Sequence, residues 1–257
     1  MSIYFRQVCL VADTLEPVIA DLKAVFSLKT AYVDPHVRSF GLENTLLAIG
    51  TDFIEVVAPI EENTAAGRYL ERRDGDGGYM VIGQVETKKE QDACRARASD
   101  NGVRVAWETD GDEWKIMQLH PGDMRAAFFE VDWQERFDPE GFWLPAGGDG
   151  WQDTISTDVV SAIVGIELQG PDPQALAQHW ADVAGVSVGE ADGSPIVELA
   201  NNRLRFVPDT DGRRPGLSGI DLQAFDRDGI IDRAKARGLA TTADSVTIGG
   251  VHFRLVD

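Results

Sequence analysis

Gln7-Val8-Cys9-Leu10-Val11-Ala12-Asp13-Thr14-Leu15, answered by Phe53-Ile54-Glu55-Val56-Val57-Ala58-Pro59, decides the fold, because the same pair of segments returns further along the chain. The second pair is Tyr79-Met80-Val81-Ile82-Gly83-Gln84-Val85 with Phe128-Phe129-Glu130-Val131, at nearly equal spacing. In the first strand Val8 and Leu10 point one way while Gln7, Cys9 and Val11 point the other, the two-residue period of a half-buried sheet. Asp13 or Thr14 can cap a helix whose Leu15, Val18, Ile19, Leu22, Val25 and Phe26 recur at helical spacing and would cover the Val8 and Leu10 side. Pro17 falls in the first turn, where a helix tolerates it. Strands at Ala31 to Val33, Thr45 to Ile49 and Asp52 to Val57 complete the module, with a turn at Gly50 and a stop at Pro59.

Asn63 to Arg73 reads as a connecting helix, and Asp74-Gly75-Asp76-Gly77-Gly78 breaks the pattern before a strand resumes at Tyr79. Lys88 to Asn101 is then helical, Gly102 stops it, and strands follow near Val103 to Trp107, Trp114 to Leu119 and Arg125 to Asp132. A sheet with helices on one face leaves its other face bare, so two such modules pair to enclose a cleft. Gln7, Glu55 and Glu130 would face into it.

From Trp133 to Trp151 the chain is rich in Gly, Pro and aromatic residues, which predicts a linker that packs down. The order then returns more faintly: a strand over Val160 to Gln169, a helix over Pro173 to Ala184, and strands near Ile196 to Ala200 and Arg203 to Val207. A fourth round has Ile220 to Ala224, a helix over Asp228 to Arg237, and strands at Val246 to Ile248 and Val251 to Val256. The expected class is α+β, built of paired βαβββ modules. Residues 1–132 form one domain, 133–157 a packed linker and 158–257 a second, divergent domain.

Composition narrows the partners. The 257 residues include 43% apolar ones, enough for a substantial core, and carry a net charge of −19 that repels phosphate backbones and anionic membranes. With no basic stripe in view, neither nucleic acid nor a membrane is expected as a partner, and a small molecule is. A homodimer is neither required nor excluded. No apolar run is long enough to span a bilayer, and Met1 to Gln7 lack the order of a secretion signal, so the expected location is the cytoplasm. Cys9 and Cys94 show neither metal nor disulfide spacing and are expected to be reduced. The glycines at 75, 77 and 78 precede a strand rather than open a helix, so no phosphate cradle is indicated.

With these segments in place, the chain resembles the vicinal oxygen chelate superfamily of glyoxalases, bleomycin-resistance proteins and extradiol dioxygenases. His120-Pro121-Gly122-Asp123 is similar to a stretch in its methylmalonyl-CoA epimerase branch. The resemblance implies two glyoxalase-like half-open barrels. It also implies a cleft in which a divalent ion is held by one side chain from the first and one from the last strand of each module. Carried over by position, those places are Gln7, Glu55, Tyr79 and Glu130. Two carboxylates and an amide oxygen suit Mg²⁺ or Mn²⁺, with Zn²⁺, Ni²⁺ or Co²⁺ as relatives, whereas a neutral phenol at Tyr79 is a poor ligand. A metal site on Gln7, Glu55 and Glu130 and a metal-free site therefore stand as equal alternatives.

The expected catalytic groups are Glu55 and Glu130 as acid/base or metal groups, Tyr79 as a hydrogen-bond donor and His120 as a further acid, base or ligand. Like charges sharing a site should raise at least one carboxyl pKa. Phe40, Trp107, Trp114 and Phe128 could line the cleft. In the second half the corresponding places are Gly165, Arg205, Gly219 and Arg254, and since arginine cannot ligate a cation this half is expected to be metal-free, an anion site or a support. The resemblance implies a lyase or isomerase acting on a small carbonyl compound through an enolate or enediolate. The rival is a binding protein that sequesters an aromatic or hydrophobic molecule. Extradiol cleavage is less favoured, because Gln7 and Tyr79 stand where iron-dependent relatives use histidine.

Overall fold

The computed structural model describes residues 2–257. The first module runs β1 (Tyr4–Val11), α1 (Leu15–Phe26), β2 (Thr30–Tyr32), a 3-10 turn over Pro35–Phe40, β3 (Leu42–Ile49) and β4 (Asp52–Pro59). Helix α2 (Ala65–Arg73) leads to the second: β5 (Gly77–Val85), α3 (Lys88–Asp100), β6 (Val105–Glu108), β7 (Trp114–Lys115), β8 (Met117–Leu119), α4 (Pro121–Met124) and β9 (Phe128–Gln134). Together they make one sheet ordered β2-β3-β4-β1-β5-β9-β8-β6, with β7 also paired to β9. Its seam is the antiparallel pair β1 and β5, where Cys9 lies opposite Met80 and Gln7 opposite Ile82. Each module thus contributes half of an open, curled sheet.

The later chain repeats the plan with β10 (Val160–Gly170), α5 (Pro173–Ala184), β11 (Val188–Ala191), β12 (Ser194–Glu198), β13 (Arg203–Pro208), β14 (Gly216–Ala224), α6 (Arg227–Ala236), β15 (Ser245–Ile248) and β16 (Val251–Val256). Their sheet is ordered β11-β12-β13-β10-β14-β16-β15. The α+β class with paired βαβββ modules is what the periodicity predicted, and the two open sheets match the half-open barrels that the resemblance implied.

Helix starts follow local chemistry. Thr87 caps α3 in a reciprocal box with Glu90, and Asp172 and Asp226 cap α5 and α6. Differences from the expected elements have equally local causes. The stretch 114–119 is two short strands rather than one. Pro121 at the first helical position, with His120 as N-cap, starts α4, and Arg125 ends it at φ 69°, so β9 begins only at Phe128. Strand β11, too short and too polar to read, pairs with β12.

One apolar core joins the helix-covered faces of both sheets. It contains Val8, Leu10, Leu22 and Phe26 from the first module together with Phe129, Leu168, Trp180 and Phe253. Helix α1 packs on α6 and α3 on α5. The sheets also touch directly, and Gly78 in β5 has no side chain because the Leu217 side chain occupies that space. After β9 the chain turns across the opposite, concave face of the first sheet. There Trp143 and Trp151 bury against Cys9, Phe53, Tyr69, Met80 and Ile82 as a second core.

Candidate functional site

Paired residues in neighbouring strands share a face, so the register fixes which side chains meet on the concave side. One transverse row reads Phe53, Gln7, Ile82, Glu130, Gln118, Trp107 across β4, β1, β5, β9, β8 and β6. The adjacent row reads Leu46, Glu55, Cys9, Met80, Phe128. Glu55 and Glu130 therefore lie on the same face of one sheet, in adjacent rows, each two strands from the other's edge of the seam. Glu55 is 7% exposed and Glu130 5%.

Their surroundings differ. Glu55 Oε1 accepts from Asn44 Nδ2 at 2.6 Å and Oε2 from Gln7 Nε2 at 2.8 Å. Burial raises its pKa, and the Asn44 hydrogen bond leads the opposing effects. Glu130 Oε2 accepts from Gln118 Nε2 at 2.7 Å. Burial pushes its pKa up to about 7, with the hydrogen bond from Gln118 opposing and the Glu55 charge adding to the rise. Asp132, two residues on, is raised by burial and by Glu130, and accepts from Trp114 Nε1 at 2.9 Å. Between the two glutamates the buried Cys9 thiol is pushed well up by burial and by Glu55, which keeps it protonated and unreactive.

Tyr79 is on the concave side, but it does not occupy the counterpart of Gln7. A bulge between the partners of Cys9 and Leu10 leaves Tyr79 as the extra residue, and the local dyad pairs Gln7 with Met80. The Tyr79 ring packs edge-on against Tyr69 and Phe128, and burial raises its pKa, so the phenol stays neutral. His120 stands at the end of β8, where Nδ1 accepts from Gly122 N at 3.2 Å and lies 3.6 Å from Asp123 Oδ1. Its contacts are with its own helix start rather than with either glutamate. Gln7 Oε1 accepts from the indole of Trp143 at 3.0 Å.

These contacts decide how well a divalent ion fits. The amide oxygen of Gln7 is occupied by an indole N–H, both oxygens of Glu55 accept amide N–H groups, and the fourth position presents the soft thioether of Met80. Among the described residues, no group of three His, Cys, Asp or Glu is placed to hold a metal. The donor set in this arrangement does not fit a hard cation.

Two contacts shape access. Trp151 packs edge-on to Phe53, and the Arg6 guanidinium lies 4.7 Å over Trp143, so the Gln7 end of the face is filled. At the Glu130 end Gln118, Phe128 and Trp107 are only half-buried. There Phe40, from the 3-10 turn before β3, meets Trp107 edge-on at 5.1 Å.

The second sheet repeats the geometry with other chemistry. Glu167 pairs with Arg205 and Gly219, and Asp221 with Gly165 and Arg254. Asp221 accepts both Arg254 Nε at 2.8 Å and Arg205 Nη2 at 3.1 Å, while Arg205 Nη1 reaches Glu167 at 2.5 Å. The two arginines anticipated at ligand positions thus already hold carboxylates of their own sheet. They line a cavity of about 270 Å³ together with His252, Thr242 and Ser245.

Asn44 and Gln118, which hold the two glutamates, escaped the sequence reading. Alternation carried their signal: Asn44 falls in step with Leu46, and Gln118 stands between inward-packed Met117 and Leu119.

Paired βαβββ modules around a concave sheet with one carboxylate per module define a vicinal oxygen chelate fold. The chain belongs to the glyoxalase-like domain family, whose profile matches residues 8–184. No match is found among curated proteins. Among solved structures, an Mn(II)-bound glyoxalase from Novosphingobium aromaticivorans is 15% identical at a TM-score of 0.65, over 99% of this chain and 81% of that one. A hypothetical protein from Staphylococcus aureus is 13% identical at a TM-score of 0.63, over 99% of both chains. A methylmalonyl-CoA epimerase from Mycobacterium tuberculosis is 20% identical at a TM-score of 0.43, over 51% of this chain and 87% of that one. At such identities the likeness concerns the fold. Among the described residues no helix is long and apolar enough to cross a membrane.

Proposed function

We propose that the protein is a glyoxalase-like lyase or isomerase that moves a proton next to the carbonyl of a small compound bound at the Glu130 end of the amino-terminal sheet. The observation that carries this reading is Glu130 itself, a buried carboxyl whose pKa is pushed up to about 7. A base poised near neutrality can both take a proton from a carbon acid and give it back. Glu130 accepts the proton, the C–H electron pair moves into the carbonyl, and an enolate forms. Return of the proton to another face or carbon gives an isomerase, and loss of a β-substituent gives a lyase. Neutral Tyr79 is the proposed donor to the developing oxyanion. Glu55, held by two amides, acts through its charge on Glu130.

The proton transfer involves no metal because the donors of this chain do not fit one, although the Novosphingobium glyoxalase is described as Mn(II)-bound. A metal-assisted version requires Gln7 to leave Trp143. The test is exchange of α-deuterium from D2O into a panel of small carbonyl compounds. Glu130→Gln should slow exchange by roughly 10²-fold or more, the range typical of a lost general base. Unchanged exchange in that variant would discard the assignment. The aromatic crowding of Phe40, Trp107, Tyr79 and Phe128 favours one rival, a protein that binds an aromatic molecule without changing it. Tight binding with no exchange in the wild type would select it.

A further inference from the structure

We infer that the Phe40–Trp107 contact is the entrance to the Glu130 site, and that this entrance and the charge behind it select flat, uncharged molecules over carboxylates and phosphates. The inference rests on the reading that substrate binds at Glu130.

The sheet order places β3 and β6 six strand spacings apart. At about 4.8 Å per spacing, a flat sheet would hold Phe40 and Trp107 on the order of 30 Å from each other. Their rings meet at 5.1 Å and 86°, so the sheet curls until its two flanks touch through these side chains. Among the described residues no strand pairing joins β6 to β3 or to the 3-10 turn, so side-chain contact rather than a hydrogen-bonded ladder closes this edge. Trp107 is paired with Gln118, and Gln118 with Glu130, so the way inward from the ring contact leads along one row to the proposed base. The other end of the face is occupied by Trp143 and Trp151. Phe40 is 45% exposed, so the outer side of its ring is open to a molecule approaching the contact.

The charges that act on Glu55 and Glu130 are Asp34 on the first and Glu55 on the second, with no cation among them. An anionic substrate would meet two carboxyls that already repel negative charge, while the cations that act on the neighbouring Tyr79, Arg68 and Arg72, stand exposed on α2 and are not among the charges acting on Glu130. A neutral planar molecule loses nothing to repulsion and gains stacking on the aromatic rings.

The test uses 1-phenylpropane-1,2-dione as the neutral probe and phenylpyruvate as its anionic counterpart, with binding measured by titration calorimetry at pH 8. The dione should bind at least tenfold more tightly than phenylpyruvate. Phe40→Ala and Trp107→Ala should each weaken dione binding at least tenfold, with Trp107→Phe retaining most of it as a control for folding. Glu130→Gln should narrow the gap between the two probes. Equal binding of both, no dione binding, or full binding in Phe40→Ala and Trp107→Ala would overturn the inference. Deuterium exchange separates the two claims. Selective dione binding without exchange removes catalysis and leaves the entrance, whereas exchange that depends on Glu130 with binding indifferent to Phe40 removes the entrance and leaves catalysis.

Discussion

Trp143 donates its indole N–H to Gln7 Oε1 at 3.0 Å, and the same amide passes its own N–H to Glu55 at 2.8 Å. A residue from the segment between the two sheets is thereby wired to a carboxylate of the concave face. The Arg6 guanidinium lies 4.7 Å over the indole ring and is held by the carbonyls of Asp138 and Gly141, at 2.7 and 3.1 Å. The segment after β9 is therefore a fixed wall of the site.

Trp143→Phe keeps most of the apolar volume but removes the donor, leaving Gln7 Oε1 buried without its partner. A buried acceptor left unpaired costs about 1–3 kcal/mol, and that is the loss expected in urea unfolding. A variant within about 0.5 kcal/mol of wild type, inside the usual scatter of a surface change, would show that the wall is not held by this bond.

Glu130 makes folding pH-dependent with a definite sign. Its pKa is near the ordinary carboxylate value in the unfolded chain and about 7 when folded, so between those values the folded state binds more protons. Its unfavourable contribution is absent below the unfolded pKa, grows as pH rises and is complete above about 7. At about 1.4 kcal/mol per tenfold change in proton affinity, it reaches roughly 3 kcal/mol. Glu130→Gln should therefore match wild type at pH 4.5 and exceed it in stability at pH 8, as read by denaturant midpoints. A gap that is constant or that closes with rising pH contradicts the burial argument.

Two further substitutions should move the acid limb of the rate profile in opposite directions. The Glu55 charge raises the Glu130 pKa and the Gln118 hydrogen bond lowers it. Glu55→Gln should bring the limb of deuterium exchange to lower pH, and Gln118→Leu should push it higher. Shifts of the same sign in both variants, or no shift, would mean that Glu130 is not the titrating base.

Alternation and helical spacing made the modules readable because each strand has one face on helices and one on the cleft. Val8 and Leu10 against Gln7 and Cys9 is the clearest case, and Glu55 and Glu130 were placed on the concave side by the same rule. What alternation could not show is a change of step. The bulge at Tyr79 moves Met80 into the counterpart of Gln7, and only strand pairing reveals it. Nor could it show which partner a buried amide takes, so the occupation of Gln7 by Trp143, 136 residues away, stayed hidden. In the second sheet the arginines at 205 and 254 were legible by position, whereas their capture by Asp221 depends on a side chain one strand over.

The meeting of the two sheets at Gly78 gives a test of whether the halves stand or fall together. An alanine Cβ at this position would lie 2.3 Å from Leu217 Cδ2 and 2.5 Å from Leu217 Cβ. Rotating Leu217 can move its Cδ2 but not its Cβ, so β5 and β14 must separate, and overpacking of this kind costs about 1–3 kcal/mol. The strain falls on a seam continuous with the core that α1, α3, α5 and α6 share, so it has no single half to unfold. Gly78→Ala should lower the denaturation midpoint while far-UV circular dichroism and tryptophan fluorescence still report one coincident transition. A variant that keeps the wild-type midpoint would refute the close approach. One that melts in two steps would show that the amino-terminal and carboxy-terminal sheets fold as separate units despite their common core.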